Sequence, residues 1–236
     1  MNKFTRKDLK TDRFAQEVTH SLEYVQDHRK QAVRYGVAGL VAVLLIASGW
    51  SFFKNRTATR QADLTSALRN KEGIVAAVPT PGDPRQTFPT QEAKDKVVQK
   101  GLDEVVAKHS GSNEAAVAHY HLGILYADKG KLDDAARQLQ SSISSGNADT
   151  ASVAKLSLVQ VLHAQGKFAE AEKLCRELMD RPTALVSKEQ AIFMLARVLA
   201  ATKPADARKL IEPLMKDERV AVARNASALI AEIPTQ

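Results

Sequence analysis

The 236-residue sequence is poor in cysteine and in aromatic side chains. Its single cysteine, Cys175, excludes an intrachain disulfide framework and a cysteine-based zinc site. Aromatic residues make up only 5% of the chain, whereas alanine, leucine, lysine and glutamate recur and runs of β-branched residues are short. Because this composition favours helices over strands, we expect an all-α protein.

The sequence also lacks the motifs of common catalytic and metal sites. It contains no His-Glu-x-x-His pair and no Gly-x-Ser-x-Gly turn. Gly123 and Gly130, which precede Lys131, are too far apart for a phosphate-binding loop. We expect the six histidines to be surface residues and Cys175 to be a small core residue. The sequence therefore predicts no enzyme, no cofactor, no metal ion and no small-molecule substrate.

The net charge of +7 is concentrated towards the N-terminus. Residues 1–34 contain 8 Lys/Arg and 5 Asp/Glu, and residues 54–90 contain 6 and 3. Residues 91–236 are nearly neutral, with 20 and 19. A nucleic-acid-binding protein concentrates its basic charge on the folded domain, so we expect no nucleic-acid partner. The basic excess instead predicts contact with anionic membrane lipid.

One uncharged apolar run, residues 35–53, lies between these basic segments. A helix of this length rises about 28 Å, close to the roughly 30 Å hydrocarbon core of a bilayer. Tyr35 and Trp50 lie near its ends, where aromatic rings suit the headgroup boundary. We therefore predict a transmembrane helix. Two alternatives are a buried core helix and a signal peptide cleaved near residues 47–49, where small residues occur.

The two flanks of this run have different patterns. Residues 1–34 form a charged tail in which Phe14, Val18, Leu22 and Val25 share one helical face. The tail is either an amphipathic helix at the membrane or a solvated segment. For residues 54–90 we predict a helix that emerges from the membrane and continues to residue 78, followed by a proline-rich linker. The charge of the flanks leaves the orientation open.

From residue 113 onward the sequence repeats. Residues 130–135 match residues 166–171, with a weaker third copy at residues 203–207. Ala135, Ala171 and Ala207 are each 36 residues apart. This period predicts a helical solenoid of about three helix pairs plus flanking helices in residues 91–236. We predict that residues 217–232 form a last helix that caps the solenoid.

The first copy resembles the tetratricopeptide repeat. The residues at that family's relative spacings are Leu122, Gly123, Tyr126, Gly130, Ala135 and Leu139. The resemblance implies that the first helix of each pair lines a concave protein-binding groove. Carried over position by position, it implies the groove residues Tyr120, Ile124, Asp128, Leu156, Gln160, His163, Phe193 and Arg197.

The whole layout resembles the bacterial YfgM-like proteins, which are ancillary subunits of the SecYEG translocon. A charged tail, one N-terminal span, an emergent helix and a C-terminal repeat domain occur in the same order. The resemblance implies an inner-membrane protein with a cytoplasmic tail and a periplasmic repeat domain. It also implies contact with translocon subunits, with a membrane-anchored periplasmic chaperone such as PpiD, and with secreted client chains. Two alternatives remain open: an envelope-assembly scaffold without a translocon link, and a reverse-oriented cytosolic receptor.

Overall fold

The computed structural model describes residues 29–78 and 82–234. The structure is 78% helical with almost no strand, which confirms the predicted fold class. The helices of this part are α1 (Arg29–Lys71), α2 (Gln91–Lys108), α3 (Asn113–Asp128), α4 (Leu132–Ser145), α5 (Ala148–Ala164), α6 (Phe168–Asp180), α7 (Lys188–Ala200), α8 (Pro204–Ile211) and α9 (Val220–Glu232), with a 3-10 helix at Glu212–Lys216. Two short parallel strands, β1 (Ile74–Val75) and β2 (Thr87–Phe88), pair with each other.

Contacts divide the chain into two compact units, one that ends at Ala58 and one that begins at Thr59. In the first unit the structure describes the α1 residues up to Ala58, and the predicted amphipathic helix of the tail lies outside the described residues. Among the described residues of the apolar run, no side chain is buried, and Trp50 is 75% exposed. This exposure excludes the buried core helix. Helix α1 is long and apolar enough to cross a membrane.

The second unit is a solenoid of successive helix pairs. Each helix from α2 to α8 packs against the next, and α3, α5 and α7 also contact one another in turn. Ala135, Ala171 and Ala207 are all fully buried, as the 36-residue period predicts for small residues at the helix crossings. Their hydrophobic neighbours form one continuous core from α4 to α9.

The turns inside the first two repeats have the same geometry. Gly130 and Gly166 adopt left-handed backbone conformations with φ of +70° and +73°. Glycine tolerates this conformation because it has no Cβ atom. The next residues, Lys131 and Lys167, donate backbone hydrogen bonds to Tyr126 and Leu162. These bonds close the ends of α3 and α5 and start the return helices.

The emergent part of α1 belongs to the solenoid rather than to a separate spacer. Ala67 is buried against α2, where it packs with Val98 and Leu102. Asp63 pairs with His109 at 2.9 Å. The compact unit therefore begins before residue 91, the predicted first residue of the repeat domain.

The predicted end of the emergent helix at residue 78 is wrong, because α1 ends at Lys71. A Cβ on Gly73 would stand 2.5 Å from the Phe88 ring and 2.7 Å from the Gln86 carbonyl oxygen. Ile74 also donates a backbone hydrogen bond to Gln86. The chain leaves the helix here because it pairs with a segment that follows the proline-rich linker.

The expectation of surface histidines is wrong for His109, His119 and His121, which are half-buried, and confirmed for His163, which is exposed. His20 and His28 lie outside the described residues. Each half-buried histidine bonds to another helix: His109 to Asp63 of α1, His119 to Gln138 of α4 at 2.6 Å, and His121 to Lys71 of α1 at 3.2 Å. These three histidines therefore join neighbouring helices of the solenoid.

Candidate protein-binding cleft

Helices α5, α7 and α9 line a cleft of about 300 Å³, here called the α7–α9 cleft. Its apolar lining comes from all three helices, and polar side chains complete its rim. The apolar residues are Leu156, Phe193, Met194, Ala228 and Leu229, and the polar residues are Gln190, Arg197, Asn225 and Glu232.

Helix α7 supplies the centre of this cleft because one of its faces packs in the core and another lines the cleft. Ala191, Leu195 and Val198 are buried on the core side. Phe193 and Arg197 are four residues apart, so they lie on one face of the helix and line the cleft together. A capping box fixes the start of the helix: Ser187 accepts from the Gln190 backbone at 3.2 Å, and Gln190 accepts from the Ser187 backbone at 2.8 Å.

Helix α5 supplies the floor through Leu156. This side chain is half-buried and packs on a small cluster that contains Val186 and Ala191. Because these packing contacts position Leu156, its exposed surface forms the base of the cleft.

Helix α9 forms the opposite wall and is held at both ends. At its C-terminal end, Arg208 of α8 donates to the carbonyl oxygens of Ile230 at 3.2 Å and Ile233 at 2.7 Å. Before its N-terminal end, Arg219 bonds to Glu189 of α7 at 2.9 Å and to Asp217 at 2.8 Å. The hydrogen bonds from Arg219 lower the pKa of Asp217 to about 2.

The α7–α9 cleft has the chemistry of a peptide-binding surface. Arg197 is exposed and forms no ion pair within residues 29–78 and 82–234, so its guanidinium donors are available to a ligand. Glu232 carries the opposite charge on the α9 wall. Leu156 and Phe193 offer apolar surface between them. Such a cleft can accept an apolar side chain and donate hydrogen bonds to the carbonyl or carboxylate groups beside it.

Cys175 offers no reactive thiol. It is fully buried, and burial raises its pKa to about 12. Because the thiolate is the nucleophile, this cysteine is a packing residue at neutral pH. Among the described residues no cluster of three or more His, Cys, Asp or Glu side chains is arranged to hold a metal ion.

The structure brings three of the eight predicted groove residues into this cleft: Leu156, Phe193 and Arg197. The other five lie elsewhere. Tyr120 and Ile124 are half-buried, whereas Asp128, Gln160 and His163 are exposed. The Tyr120 ring packs edge-on against His121 at 5.1 Å between centroids, and the His163 ring packs against Phe168 at 5.3 Å.

Sequence reasoning missed the α9 wall of the cleft. Asn225, Ala228 and Glu232 lie beyond the last repeat, where the 36-residue spacing no longer assigns positions. The predicted capping helix was the available signal, because a helix that closes a solenoid packs on the last pair and borders its groove.

An all-α solenoid with a solvent-facing cleft between its helices defines the class of helical-repeat scaffold proteins. A family model described as a tetratricopeptide repeat-like domain matches residues 30–186, and the chain belongs to that family. The match begins inside α1, so it includes the apolar run as well as the first repeats. Domains of this family mediate protein–protein interaction and are typical of non-enzymatic scaffolds. No curated protein matched the sequence.

Proposed function

We propose that this protein is a membrane-anchored protein-binding scaffold of the bacterial inner membrane. Residues 35–53 are its single span, residues 1–34 are cytoplasmic and the repeat domain is periplasmic. It acts as an ancillary subunit of the Sec translocon and assists the passage of secreted chains together with a membrane-anchored periplasmic chaperone. The translocon link is supported by the resemblance of the whole layout to the YfgM-like proteins.

The α7–α9 cleft is the observation that carries the binding function. Its walls come from three helices that are held by caps and ion pairs, so the cleft is formed before a ligand arrives. Preformed sites bind more tightly because less conformational entropy is lost on binding. An apolar side chain of a partner fits between Leu156 and Phe193, and Arg197 donates to the backbone or carboxylate beside it.

Affinity purification of the full chain in mild detergent tests this function. Phe193→Ala combined with Arg197→Ala should reduce the recovery of translocon subunits and of the chaperone, because a few residues carry most interface energy. The matched control is Arg224→Ala, an exposed arginine on α9 that does not line the cleft. Equal recovery from the double variant and the control would show that the cleft is not the binding site. Recovery of envelope-assembly proteins without translocon subunits would favour the alternative scaffold.

The orientation is tested by thiol labelling in intact cells. Cys175 is buried, so it gives little background to a membrane-impermeant maleimide. Asp128→Cys, at an exposed position of the repeat domain, should label from outside, whereas Thr11→Cys in the tail should label only after permeabilisation. The opposite pattern would identify a reverse-oriented cytosolic receptor.

A further inference from the structure

The internal repeat places two equivalent clefts on the second helices of successive pairs. The first, the α4–α6 cleft, lies between α4 and α6 over α5 and has a volume of about 400 Å³. The second, the α6–α8 cleft, lies between α6 and α8 over α7 and has a volume of about 170 Å³. Both are distinct from the α7–α9 cleft, with which they share no lining residue.

The two clefts use the same repeat positions. Each has a lysine at the turn, an acidic residue three positions later and a leucine after a further four. These residues are Lys167, Glu170 and Leu174 in the first cleft and Lys203, Asp206 and Leu210 in the second. Each floor also contains two leucines, Leu158 and Leu162 in the first and Leu195 and Leu199 in the second.

Two repeat positions on the α4 and α6 walls distinguish them, because Arg176 also lines the second cleft where Gln140 lines the first. The second cleft has Glu172 where the first has Ala136. The Glu172 carboxylate lies 3.5 Å from Lys203, so it bridges α6 and the start of α8, and it lies 2.7 Å from Arg176 on its own helix. Ala136 has no carboxylate and a much smaller side chain. The smaller side chains at these positions agree with the larger volume of the first cleft.

In the first cleft Lys167 therefore lacks the carboxylate partner that Glu172 provides to Lys203 in the second cleft. Within the described part of the chain Lys167 forms no ion pair, whereas Arg137 pairs with Asp134 and Glu177 pairs with Lys155 at 2.8 Å. Three cations and two anions line this cleft, compared with two of each in the second. Its open apolar floor and surplus positive charge therefore complement a carboxylate that stands next to an aliphatic side chain.

We propose that the α4–α6 cleft binds a protein segment in which an acidic residue adjoins an aliphatic one. The partner's carboxylate pairs with Lys167, as Glu172 pairs with Lys203 one repeat later. The aliphatic side chain fills the space over Leu158 and Leu162 beside Leu174. This site adds a second contact surface to the scaffold and is independent of the α7–α9 cleft.

The test uses a display library of random peptides selected on the full chain in lipid nanodiscs. Peptides with an acidic residue next to Leu, Ile or Val should be enriched. Ala136→Glu supplies an internal carboxylate to Lys167 and fills the cleft, so it should weaken binding of a selected peptide at least about tenfold, the worth of one charge-assisted hydrogen bond. Lys167→Gln, at an exposed position, should weaken it similarly without altering the melting temperature. Unchanged binding to both variants, or enrichment without acidic residues, would overturn the proposal.

Stoichiometry provides the converse test. Glu172→Ala removes the carboxylate that closes the second cleft, so the variant should bind two copies of the selected peptide instead of one. Arg197→Ala should leave peptide binding unchanged, which separates this site from the proposed function. Loss of peptide binding in Arg197→Ala, but not in Ala136→Glu, would assign the peptide to the α7–α9 cleft and overturn the proposal. Sedimentation that shows a dimer which Ala136→Glu dissociates would assign the α4–α6 cleft to a second copy of the chain instead.

Discussion

Gly123 of α3 lies so close to Leu139 of α4 that a Cβ on Gly123 would stand 2.6 Å from the Leu139 Cγ atom. One repeat later the same two positions carry Val159 and Cys175, both fully buried. In the first repeat, the large Leu139 side chain faces Gly123, which has no side chain. In the second repeat, the medium-sized Val159 side chain takes the place of Gly123 and the small Cys175 takes the place of Leu139. The larger side chain of the pair therefore lies on the second helix in the first repeat and on the first helix in the second repeat.

Gly123→Val should destabilise the repeat unit by about 1–3 kcal/mol, because the new side chain overlaps Leu139. Adding Leu139→Cys, which reproduces the pair of the second repeat, should restore part of the loss. Urea unfolding of the four members of this double-mutant cycle measures the coupling. Ala169→Val, at an exposed position of α6, is the control for the added valine. Strictly additive effects of the two changes would contradict the volume exchange.

The repeat period was sufficient to predict the solenoid from the sequence. Ala135, Ala171 and Ala207 mark the helix crossings because a small residue is required wherever two helices approach closely. This requirement recurs in every repeat, so it is visible in the sequence. The end of α1 was not predictable in this way. It depends on the pairing of Ile74 with Thr87 and on the Phe88 ring at Gly73, and these contacts join segments on either side of the proline-rich linker.

Ser142→Ala should stabilise the repeat unit. Ser142 is fully buried, and its hydroxyl has no hydrogen-bond partner in the described part of the chain. Removing an unsatisfied buried hydroxyl should contribute about 1 kcal/mol. The matched control is Ser152→Ala, because the Ser152 hydroxyl donates to Asp149 at 2.8 Å and also bonds to Thr183. Thermal unfolding should show opposite signs for the two serines, and a destabilised Ser142→Ala would reveal a missing partner for that hydroxyl.

His121 should make the repeat unit less stable as the pH falls from about 6.5 to about 4. Burial, with a smaller contribution from Lys71, lowers its pKa to about 4 from an ordinary value of 6.5. Between these values the unfolded chain binds more protons than the folded chain, so the free energy of unfolding decreases with falling pH. In His121→Gln this contribution should disappear. Urea titrations of both proteins across this range give the comparison, and parallel stability curves would show that His121 does not titrate as expected.

Leu44→Arg should weaken membrane insertion of residues 35–53. An arginine at the centre of a spanning helix costs about 2.5–3.5 kcal/mol on insertion scales. The wild-type chain should remain in the pellet after alkaline carbonate extraction, and the variant should be partly released. Ser66→Arg, outside the apolar run, is the control for the added charge. A mature chain that begins near Trp50 would instead identify a cleaved signal peptide.

The candidate binding cleft was only partly predictable. Phe193 and Arg197 follow from the helical phase of α7, which the repeat fixes. Tyr120 shares the helical phase of the groove positions, but its ring rests on the core and on His121, and a repeat pattern does not specify such packing. The α9 wall depends on how the last helix docks, and this is a tertiary arrangement with no counterpart in the repeat.

Because α9 forms one wall of the α7–α9 cleft, binding of a ligand in this cleft should be thermodynamically linked to the docking of α9. Leu229 and Phe193 line the cleft together only when α9 is docked, so a ligand that contacts both should favour the docked form. At a ligand concentration about 100 times the dissociation constant, this linkage favours docking by about 2.7 kcal/mol. Amide exchange in α9 should therefore slow when the cleft fills, and weakening the Arg208 cap should lower ligand affinity from a distance. The exchange rate of the α9 amides would then measure occupancy of the cleft.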